Sequence, residues 1–276
     1  MPSQVHDLPS LPPRARDSHK GDHGRVLLVA GSPGMCGAAV LAARAALRCG
    51  SGLVTVAIPA ALSHGVTAAV PEAMHIHLTA DDDLPEDLDG RFDALGIGPG
   101  LGTSDRSRRL LERALGSWSG PQVIDADALN LVAAGVPTSV HAERVWTPHP
   151  GELERLTGQT PREKNERVTA CECFVAQRGG VIVLKGHRTV IHDGERYTVN
   201  RTGNPGMATG GSGDVLTGVI TSLLGQGLGA FDAARLGAHL HGAAGDAAAA
   251  RVGEASLIAS DLVDCLPDAF ASLCHS

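Results

Sequence analysis

The segment between Asn204 and Gly218 reads NPGMATGGSGDVLTG. Its glycines leave the backbone free to take tight conformations, and from Val215 onward the pattern is helical, so the loop ends where a helix begins. The first amide N–H groups of a helix have no partner inside that helix. Together with the helix dipole, these amides can hold phosphate oxygens and the charge that develops as a phosphoryl group moves. The segment therefore predicts an anion hole.

Asp214 lies beside this predicted anion hole. A carboxylate there would repel a phosphate, but it is well placed to take a proton from an attacking hydroxyl. The alternative interpretation is that Asp214 only caps a helix after a flexible loop. The many glycines ahead of it favour the catalytic base.

Outward from this loop, short apolar segments alternate with longer amphipathic ones. Strands that alternate with helices predict an α/β fold with three α/β/α layers around a mostly parallel, doubly wound sheet. The predicted strands are 25–30, 53–58, 93–97, 122–124, 145–147 and 181–184, and the helices 38–48, 104–115, 128–133, 162–177, 232–251 and 257–270.

A hairpin signal follows the last of these strands. Asp193 and Gly194 separate two apolar segments, 188–191 and 196–199, and such a pair is typical of a type I′ turn, whose central residues need positive φ. The sequence therefore predicts an antiparallel hairpin at the edge of the sheet.

Composition and charge narrow the class of protein. The 276 residues are 43% apolar, enough for one globular enzyme, and a net charge of −7 without a basic stripe argues against nucleic acid as a partner. No apolar run approaches the roughly 20 residues of a membrane-spanning helix. The scattered cysteines fit reduced thiols in a cytoplasmic protein rather than a disulfide framework. Residues 1–17 are expected to be a disordered or mobile tail without a signal peptide, and residues 18–276 a single domain.

Five motifs in a fixed order resemble one family. They are the glycine-rich segment from Asn204, Lys20–Arg25 (KGDHGR), Gly98–Gly102 (GPGLG), Asp125–Asn130 (DADALN) and Thr147–Glu152 (TPHPGE). The sequence is similar in these motifs to the ADP/ATP-dependent NAD(P)H-hydrate dehydratases, which have a ribokinase-like fold. The likeness covers essentially all of the chain after the predicted tail.

The resemblance implies a reaction. ADP or ATP phosphorylates the hydroxyl of the S-form of hydrated NADH or NADPH, and phosphate then leaves to regenerate the reduced dinucleotide. Asp214 would deprotonate the hydroxyl while the amides of Gly211, Ser212 and Gly213 stabilise the transferring phosphoryl. Phosphoryl transfer requires Mg²⁺ with the nucleotide, but nothing in the sequence resembles a metal cage made by protein alone, so no direct metal ligand is assigned.

The resemblance also implies the nucleotide-binding residues. These are Lys185, Gly186, His187, Arg188 and Thr189, which follow a predicted strand, and Gly213. The alternative for Lys185 is a lysine at a strand end that extends to solvent. No G-x-x-x-x-G-K-[ST] segment exists, which excludes a P-loop enzyme.

The substrate-binding residues implied by the resemblance come from several loops. They are Ala38, Ala39, Gly102, Asp125, His149, Asn204 and Asp214. Each of the glycine, alanine and histidine assignments has a structural alternative: a tight turn for Gly102, helix packing for Ala38 and Ala39, and helix capping for His149. For His149 we favour the substrate contact, because Ser or Asp would cap a helix better.

Other functions remain possible at this point. A ribokinase-like kinase of a small-molecule hydroxyl would keep its phosphate on the product, and a nucleotide sensor would need the amides but not Asp214. The sequence lacks the glycine spacing that a nicotinamide-dependent oxidoreductase requires, so that function is remote. The resemblance further implies a homotetramer and a separate NAD(P)H-hydrate epimerase as functional partner, since the chain has no room for that domain.

Overall fold

The structure is a computed structural model that describes residues 2–11, 13–79, 84–85 and 87–273. Met1 and Pro12 of the predicted tail lie outside the described residues. The described residues form one ten-stranded sheet. Its strands are β1 (Ser3–Gln4), β2 (Arg25–Val29), β3 (Leu53–Pro59), β4 (Met74–Leu78), β5 (Ala94–Ile97), β6 (Gln122–Ile124), β7 (Arg144–Trp146), β8 (Val181–Leu184), β9 (Val190–His192) and β10 (Arg196–Val199).

The strand order is β1-β10-β9-β8-β7-β6-β5-β2-β3-β4. Strands β2 to β8 pair in parallel, and β9 pairs antiparallel with both β8 and β10. The chain moves outward from β2 to β4 and then returns to β5 on the other side of β2. The sheet therefore has a switch point between β2 and β5, where open α/β sheets form a ligand crevice.

Helices cover both faces of the sheet. They are α1 (Cys36–Arg48), α2 (Ser63–Ala69), α3 (Asp105–Ser117), α4 (Ala126–Ala133), α5 (Pro150–Thr157), α6 (Lys164–Arg178), α7 (Ser212–Gly225), α8 (Ala230–Val252) and α9 (Ala259–Leu273). Successive β2 residues alternate between the layers: Val26 and Leu28 pack with α1, α7, α8 and α9, whereas Leu27 and Val29 pack with α3, α4 and α6. The predicted three-layer, doubly wound fold is confirmed. None of the helices in the described part of the chain combines the length and apolar character needed to cross a bilayer.

Three elements were not predicted. Strand β4 pairs with β3 alone among the described strands and carries histidines, so it lacks the uniformly apolar pattern of the central strands. Helix α2 has only seven residues. Strand β1 lies inside the predicted tail, where it pairs in parallel with β10, and this pairing attaches that part of residues 1–17 to the sheet. The predicted boundary at residue 17 stays a prediction.

The hairpin is present, but its turn differs from the expected type I′. Gly194 has a φ of +99°, whereas Asp193 is not among the described residues with positive φ. The Asp193 carboxylate instead accepts hydrogen bonds from the amides of Glu195 and Arg196, at 3.0 and 2.6 Å. The side chain of Asp193 therefore stabilises the turn, so the second positive φ is not needed.

The close contact between α1 and α7 depends on a glycine in α7. A Cβ atom at Gly218 would lie 2.1 Å from the carbonyl oxygen of Ala42 and 2.9 Å from Cβ of Ala45. The first is a backbone atom and the second is bonded directly to the backbone, so neither can move without shifting α1. The absence of a side chain at Gly218 thus sets how closely α7 approaches α1.

We therefore expect Gly218→Ala to lower the free energy of unfolding by about 1–3 kcal/mol through overpacking. Gly116→Ala is the matched control, because Gly116 is also helical and, among the described residues, no atom lies within 4 Å of the position of its Cβ. It should be neutral or stabilise by about 0.4–1 kcal/mol. Urea unfolding of both variants measures this, and a Gly218→Ala protein as stable as the wild type would contradict it.

Candidate active site at the carboxyl edge of the sheet

The segment predicted to form an anion hole lies at the start of α7. Gly211 precedes the helix with a φ of +92°, a left-handed conformation that favours glycine. A Cβ at Gly211 would also lie 2.5 Å from Cδ1 of Leu41 and 3.0 Å from Cβ of Ala259, so these neighbours would have to shift to admit a side chain. Ser212 and Gly213 open the helix, and Asp214 lies in its first turn. The four predicted catalytic residues are thus consecutive at one helix N-terminus.

The carboxyl group of Asp214 has a strongly raised pKa. Its pKa is raised from 3.8 to about 7, chiefly because the carboxylate is buried. The negative charge of Asp125 and Asp127 raises the pKa as well, while Lys185 opposes the shift. A carboxylate with a pKa near neutral pH is suited to accept a proton from a substrate hydroxyl.

Lys185 and Asp125 form a buried ion pair next to Asp214. The Lys185 Nζ lies 2.7 Å from Oδ1 of Asp125, and Thr217 of α7 donates a hydrogen bond of 2.7 Å to Oδ2. Burial lowers the pKa of Lys185, but Asp125 and Glu152 outweigh burial, so that the pKa is raised and the lysine keeps its charge. The alternative in which Lys185 extends to solvent is therefore wrong: its ammonium group joins the predicted nucleotide loop to the carboxylates of Asp125 and Glu152.

His149 caps helix α5. Its Nδ1 accepts hydrogen bonds from the amides of Gly151 and Glu152, at 3.0 and 3.2 Å, and Glu152 in return accepts from the His149 amide at 2.7 Å. The capping role that the sequence argument ranked second is thus present. Because Nδ1 accepts, the ring proton lies on Nε2, and burial lowers the pKa of His149, so the ring is neutral. A substrate contact by His149 stays a prediction, and Nε2 is the atom that could make it.

Two loops meet at the switch point of the sheet. The amide of Gly31, after β2, donates to the carbonyl of Pro99, after β5, at 2.8 Å. Gly98 must be glycine, since a Cβ there would lie 1.9 Å from the carbonyl oxygen of Asp125. The Gly102 amide donates a hydrogen bond of 2.8 Å to Oδ2 of Asp127, so in this structure that amide already has a partner.

Ala38 and Ala39 lie beside these loops but differ in exposure. Ala39 is fully buried and packs under Gly31, whereas Ala38 is partly exposed and its Cβ would be 2.9 Å from a Cβ at Gly100. Of the two predicted substrate contacts, only Ala38 has side-chain surface to offer.

Asn204 has local partners. Its Oδ1 accepts from the amide of Gly206 and its Nδ2 donates to Asp246 of α8, both at 3.0 Å. These bonds hold the start of the glycine-rich segment against α8. The predicted substrate contact of Asn204 stays a prediction.

The remaining residues of the predicted nucleotide loop form a tight turn after β8. Gly186 has a φ of +128° and Arg188 a φ of +54°, and Thr189 Oγ1 donates to the carbonyl of Gly186 at 3.0 Å. Lys185 of the same loop contacts Asp125, which also accepts from Thr217 of α7, so the loop and α7 are neighbours. Glycine alone adopts such conformations readily, so the positive φ of Arg188 requires support from its surroundings.

Comparison with known proteins agrees with this arrangement. The sequence model of the NAD(P)H-hydrate dehydratase family matches residues 26–268. The chain belongs to this family. The resemblance inferred from the five motifs is therefore confirmed.

Two relatives in the family illustrate the range of lengths. A bifunctional NAD(P)H-hydrate repair enzyme of Moorella thermoacetica is 47% identical over 272 residues, covering 93% of this chain and 51% of that protein. An ADP-dependent (S)-NAD(P)H-hydrate dehydratase of Neisseria meningitidis is 43% identical over 242 residues, covering 84% and 80%. The chain thus spans about half the length of the bifunctional relatives that it matches.

Solved structures give the same family and fold. An ADP/ATP-dependent NAD(P)H-hydrate dehydratase of Bacillus subtilis, co-crystallised with ATP and Mg²⁺, superposes with a TM-score of 0.85 at 33% identity, over 95% of this chain and 94% of that one. A hydroxyethylthiazole kinase of Pyrococcus horikoshii shares the fold alone, with a TM-score of 0.57 at 17% identity over 90% and 89% of the chains. The predicted ribokinase-like fold is confirmed.

Two residues of this site were not predicted. Thr217 is buried and holds Asp125, and it lies one helical turn after Asp214. His241 of α8 lies under the start of α7, with Nε2 2.9 Å from the carbonyl oxygen of Ser212, and burial lowers its pKa to about 4. The position of Thr217 could have been read from helical spacing, whereas nothing in the sequence around His241 indicates its contact.

The shifted pKa of Asp214 makes a prediction about stability. Between about pH 4 and pH 7 the folded protein keeps a proton on Asp214 that the unfolded chain has lost, so stability falls as the pH rises through this window. Asp214→Asn does not titrate. We expect its melting temperature to exceed that of the wild type by an amount that grows from pH 4 to pH 8. Thermal unfolding across this range measures the difference, and a constant gap would contradict the raised pKa.

Proposed function

We propose that this chain catalyses the ADP- or ATP-dependent dehydration of the S-form of hydrated NADH and NADPH, as a hydro-lyase of metabolite repair. The observation that carries the proposal is a carboxylate with a pKa of about 7 in the first turn of α7. A base beside an anion hole is what phosphoryl transfer to a hydroxyl requires. Family membership supports hydrated NAD(P)H as the acceptor, and the names of the Neisseria and Bacillus proteins support ADP or ATP as the donor.

In the first step, Asp214 takes the proton of the ring hydroxyl while that oxygen attacks the terminal phosphorus of the nucleotide. The bond between this phosphorus and the bridging oxygen breaks, and ADP leaves as AMP or ATP as ADP. The amides of Gly211, Ser212 and Gly213 stabilise the charge on the phosphoryl group in transfer. Lys185, whose charge is maintained by Asp125, limits the rise in the pKa of Asp214 and so keeps part of the base ionised near neutral pH.

In the second step, the carbon–oxygen bond to the new phosphate breaks. The lone pair of the ring nitrogen assists its departure, and loss of a proton from the neighbouring ring carbon restores the double bond of NADH or NADPH. Phosphate is a far better leaving group than hydroxide. Inorganic phosphate and the nucleotide of lower phosphorylation are therefore the accompanying products.

The predicted binding residues follow from this proposal. Gly213 and the loop of residues 185–189 bind the nucleotide. The dinucleotide lies along the switch point of the sheet, against Ala38, Gly102, Asp125, His149, Asn204 and Asp214. The buried Ala39 supports that surface through its packing on Gly31.

Mg²⁺ fits this site as an ion that enters with the nucleotide. Both oxygens of Asp125 have hydrogen-bond partners, and no group of three metal-ligating side chains occurs in the part of the chain that the structure describes. Asp127 likewise accepts at both oxygens, from the Gly102 amide at 2.8 Å and from Asn130 at 3.4 Å, so these carboxylates would face the water shell of the ion rather than bind it directly. When bound, Mg²⁺ neutralises charge on the phosphates of the nucleotide.

The proposal extends to the functional partner, the assembly and the location of the protein. The bifunctional name of relatives about twice as long supports a second activity that works with this one, which we assign to a separate NAD(P)H-hydrate epimerase. We also keep a homotetramer and a cytoplasmic location as expectations.

The decisive assay combines purified protein, hydrated NADH and either ADP or ATP. We expect recovery of the absorbance band of reduced nicotinamide together with one released phosphate per NADH formed. Asp214→Asn should lower turnover by a factor of about 10²–10⁴, since it removes the general base, while nucleotide binding measured by calorimetry is retained.

Two results would contradict this function. Failure of both nucleotides to restore the absorbance would exclude the dehydratase, and a product that kept its phosphate would point to a small-molecule kinase instead. Turnover of Asp214→Asn equal to the wild type would remove Asp214 from the role of base.

A further inference from the structure

Arg167 makes an unusual set of contacts beneath the predicted nucleotide loop. It extends from the first turn of α6 and donates to three backbone carbonyls at the end of β8 and in the loop. The Nη1 atom lies 2.6 Å from the carbonyl oxygen of His187, and Nη2 lies 2.9 and 3.2 Å from those of Leu184 and Lys185. One guanidinium group therefore holds both the start and the middle of the loop.

These contacts set the direction of the amides that follow. No cis peptide bond occurs among the described residues, and in a trans peptide the C=O and the next N–H point in opposite directions. Because the carbonyls of Lys185 and His187 point toward Arg167, the amides of Gly186 and Arg188 point away from α6. The left-handed conformations of Gly186 and Arg188 belong to the same turn, and the hydrogen bonds from Arg167 are support of the kind that a positive φ at Arg188 needs.

The charge of Arg167 has no acidic partner in an ion pair among the residues that the structure describes. It is solvated by carbonyl dipoles instead, so its positive charge lies directly behind the loop that would meet an anionic nucleotide. The planar fork of five donors allows one side chain to serve three carbonyls, which a lysine ammonium on a flexible stem would do less well. The hydrogen bonds of the Arg167 side chain thus go to the end of β8 and to the loop that follows it.

We propose that Arg167 is a positioning residue for the nucleotide: it turns the loop of residues 185–189 so that the amides of Gly186 and Arg188 face acceptor atoms of bound ADP or ATP. This inference rests on the proposed function, in which that loop binds the nucleotide. Arg167 itself touches neither substrate. Its removal is expected to weaken nucleotide binding while the chemical step at Asp214 is retained.

The test compares Arg167→Met, Arg167→Lys and Arg178→Met. Arg178 lies at the other end of α6, donates to Thr138 Oγ1 at 3.3 Å and controls for the loss of an arginine from this helix. Calorimetric titration with ADP and ATP should give a Kd about tenfold or more above the wild type for Arg167→Met, an intermediate value for Arg167→Lys and an unchanged one for Arg178→Met. At saturating nucleotide, kcat and the KM for hydrated NADH should stay within about twofold of the wild type, and guanidinium ion should partly restore nucleotide affinity to Arg167→Met.

Four outcomes would overturn the inference. An unchanged Kd in Arg167→Met would do so while leaving the proposed function intact. A fall in kcat and melting temperature without a change in Kd would assign Arg167 a purely structural role. If Arg167→Met does not fold, Arg167→Lys decides, and wild-type affinity in that variant counts against the inference. A wild-type protein that binds neither ADP nor ATP would instead overturn the proposed function, and this inference with it.

Discussion

The burial of the Asp214 carboxylate against other acids is the constraint around which the site is arranged. A helix N-terminus stabilises a negative charge by about 0.3–1 kcal/mol, which would lower the pKa of an aspartate. Here burial and the charges of Asp125 and Asp127 outweigh that effect, and the pKa rises to about 7. In the proposed mechanism, the anion hole and the base are thus adjacent without the base being a permanently ionised carboxylate that repels the phosphate. Lys185 opposes the rise in the pKa of Asp214; it is held by Asp125, whose other carboxylate oxygen accepts a hydrogen bond from Thr217.

The fold supplies this arrangement through close backbone approaches. The carboxyl ends of β2, β5, β6, β7 and β8 meet at one edge of the sheet, and α7 lies against them because Gly218 admits the backbone of α1. Gly98 admits the carbonyl of Asp125 in the same way. At Gly211 a left-handed conformation allows the loop to enter the helix at the required angle. The structure of the site therefore depends on glycines for two different reasons: close approach at Gly218 and Gly98, and conformation at Gly211.

Local patterns in the sequence were enough to predict the fold and the helix that begins at Ser212. Apolar periodicity identified the central strands, and the glycines before Asp214 identified the loop that precedes this helix. The contacts that give other residues their roles join distant parts of the chain and leave no local pattern: Lys185 meets Asp125 across 60 residues, and His241 meets Ser212 across 29. Capping preferences did not lead us to expect that His149 caps α5, but a ring nitrogen can accept the same amide hydrogen bonds as an oxygen. Strand β4 was missed because an edge strand can be partly polar.

The most direct test of this account is the titration of the Asp214 carboxyl group itself. Carbon-13 NMR of protein labelled at aspartate side chains, with the Asp214→Asn variant to assign the signal, reports its protonation in the free protein. The account predicts a midpoint near pH 7. A midpoint near the ordinary value of about 4 would contradict it, because Asp214 would then be a fully ionised surface carboxylate with no tuned basicity.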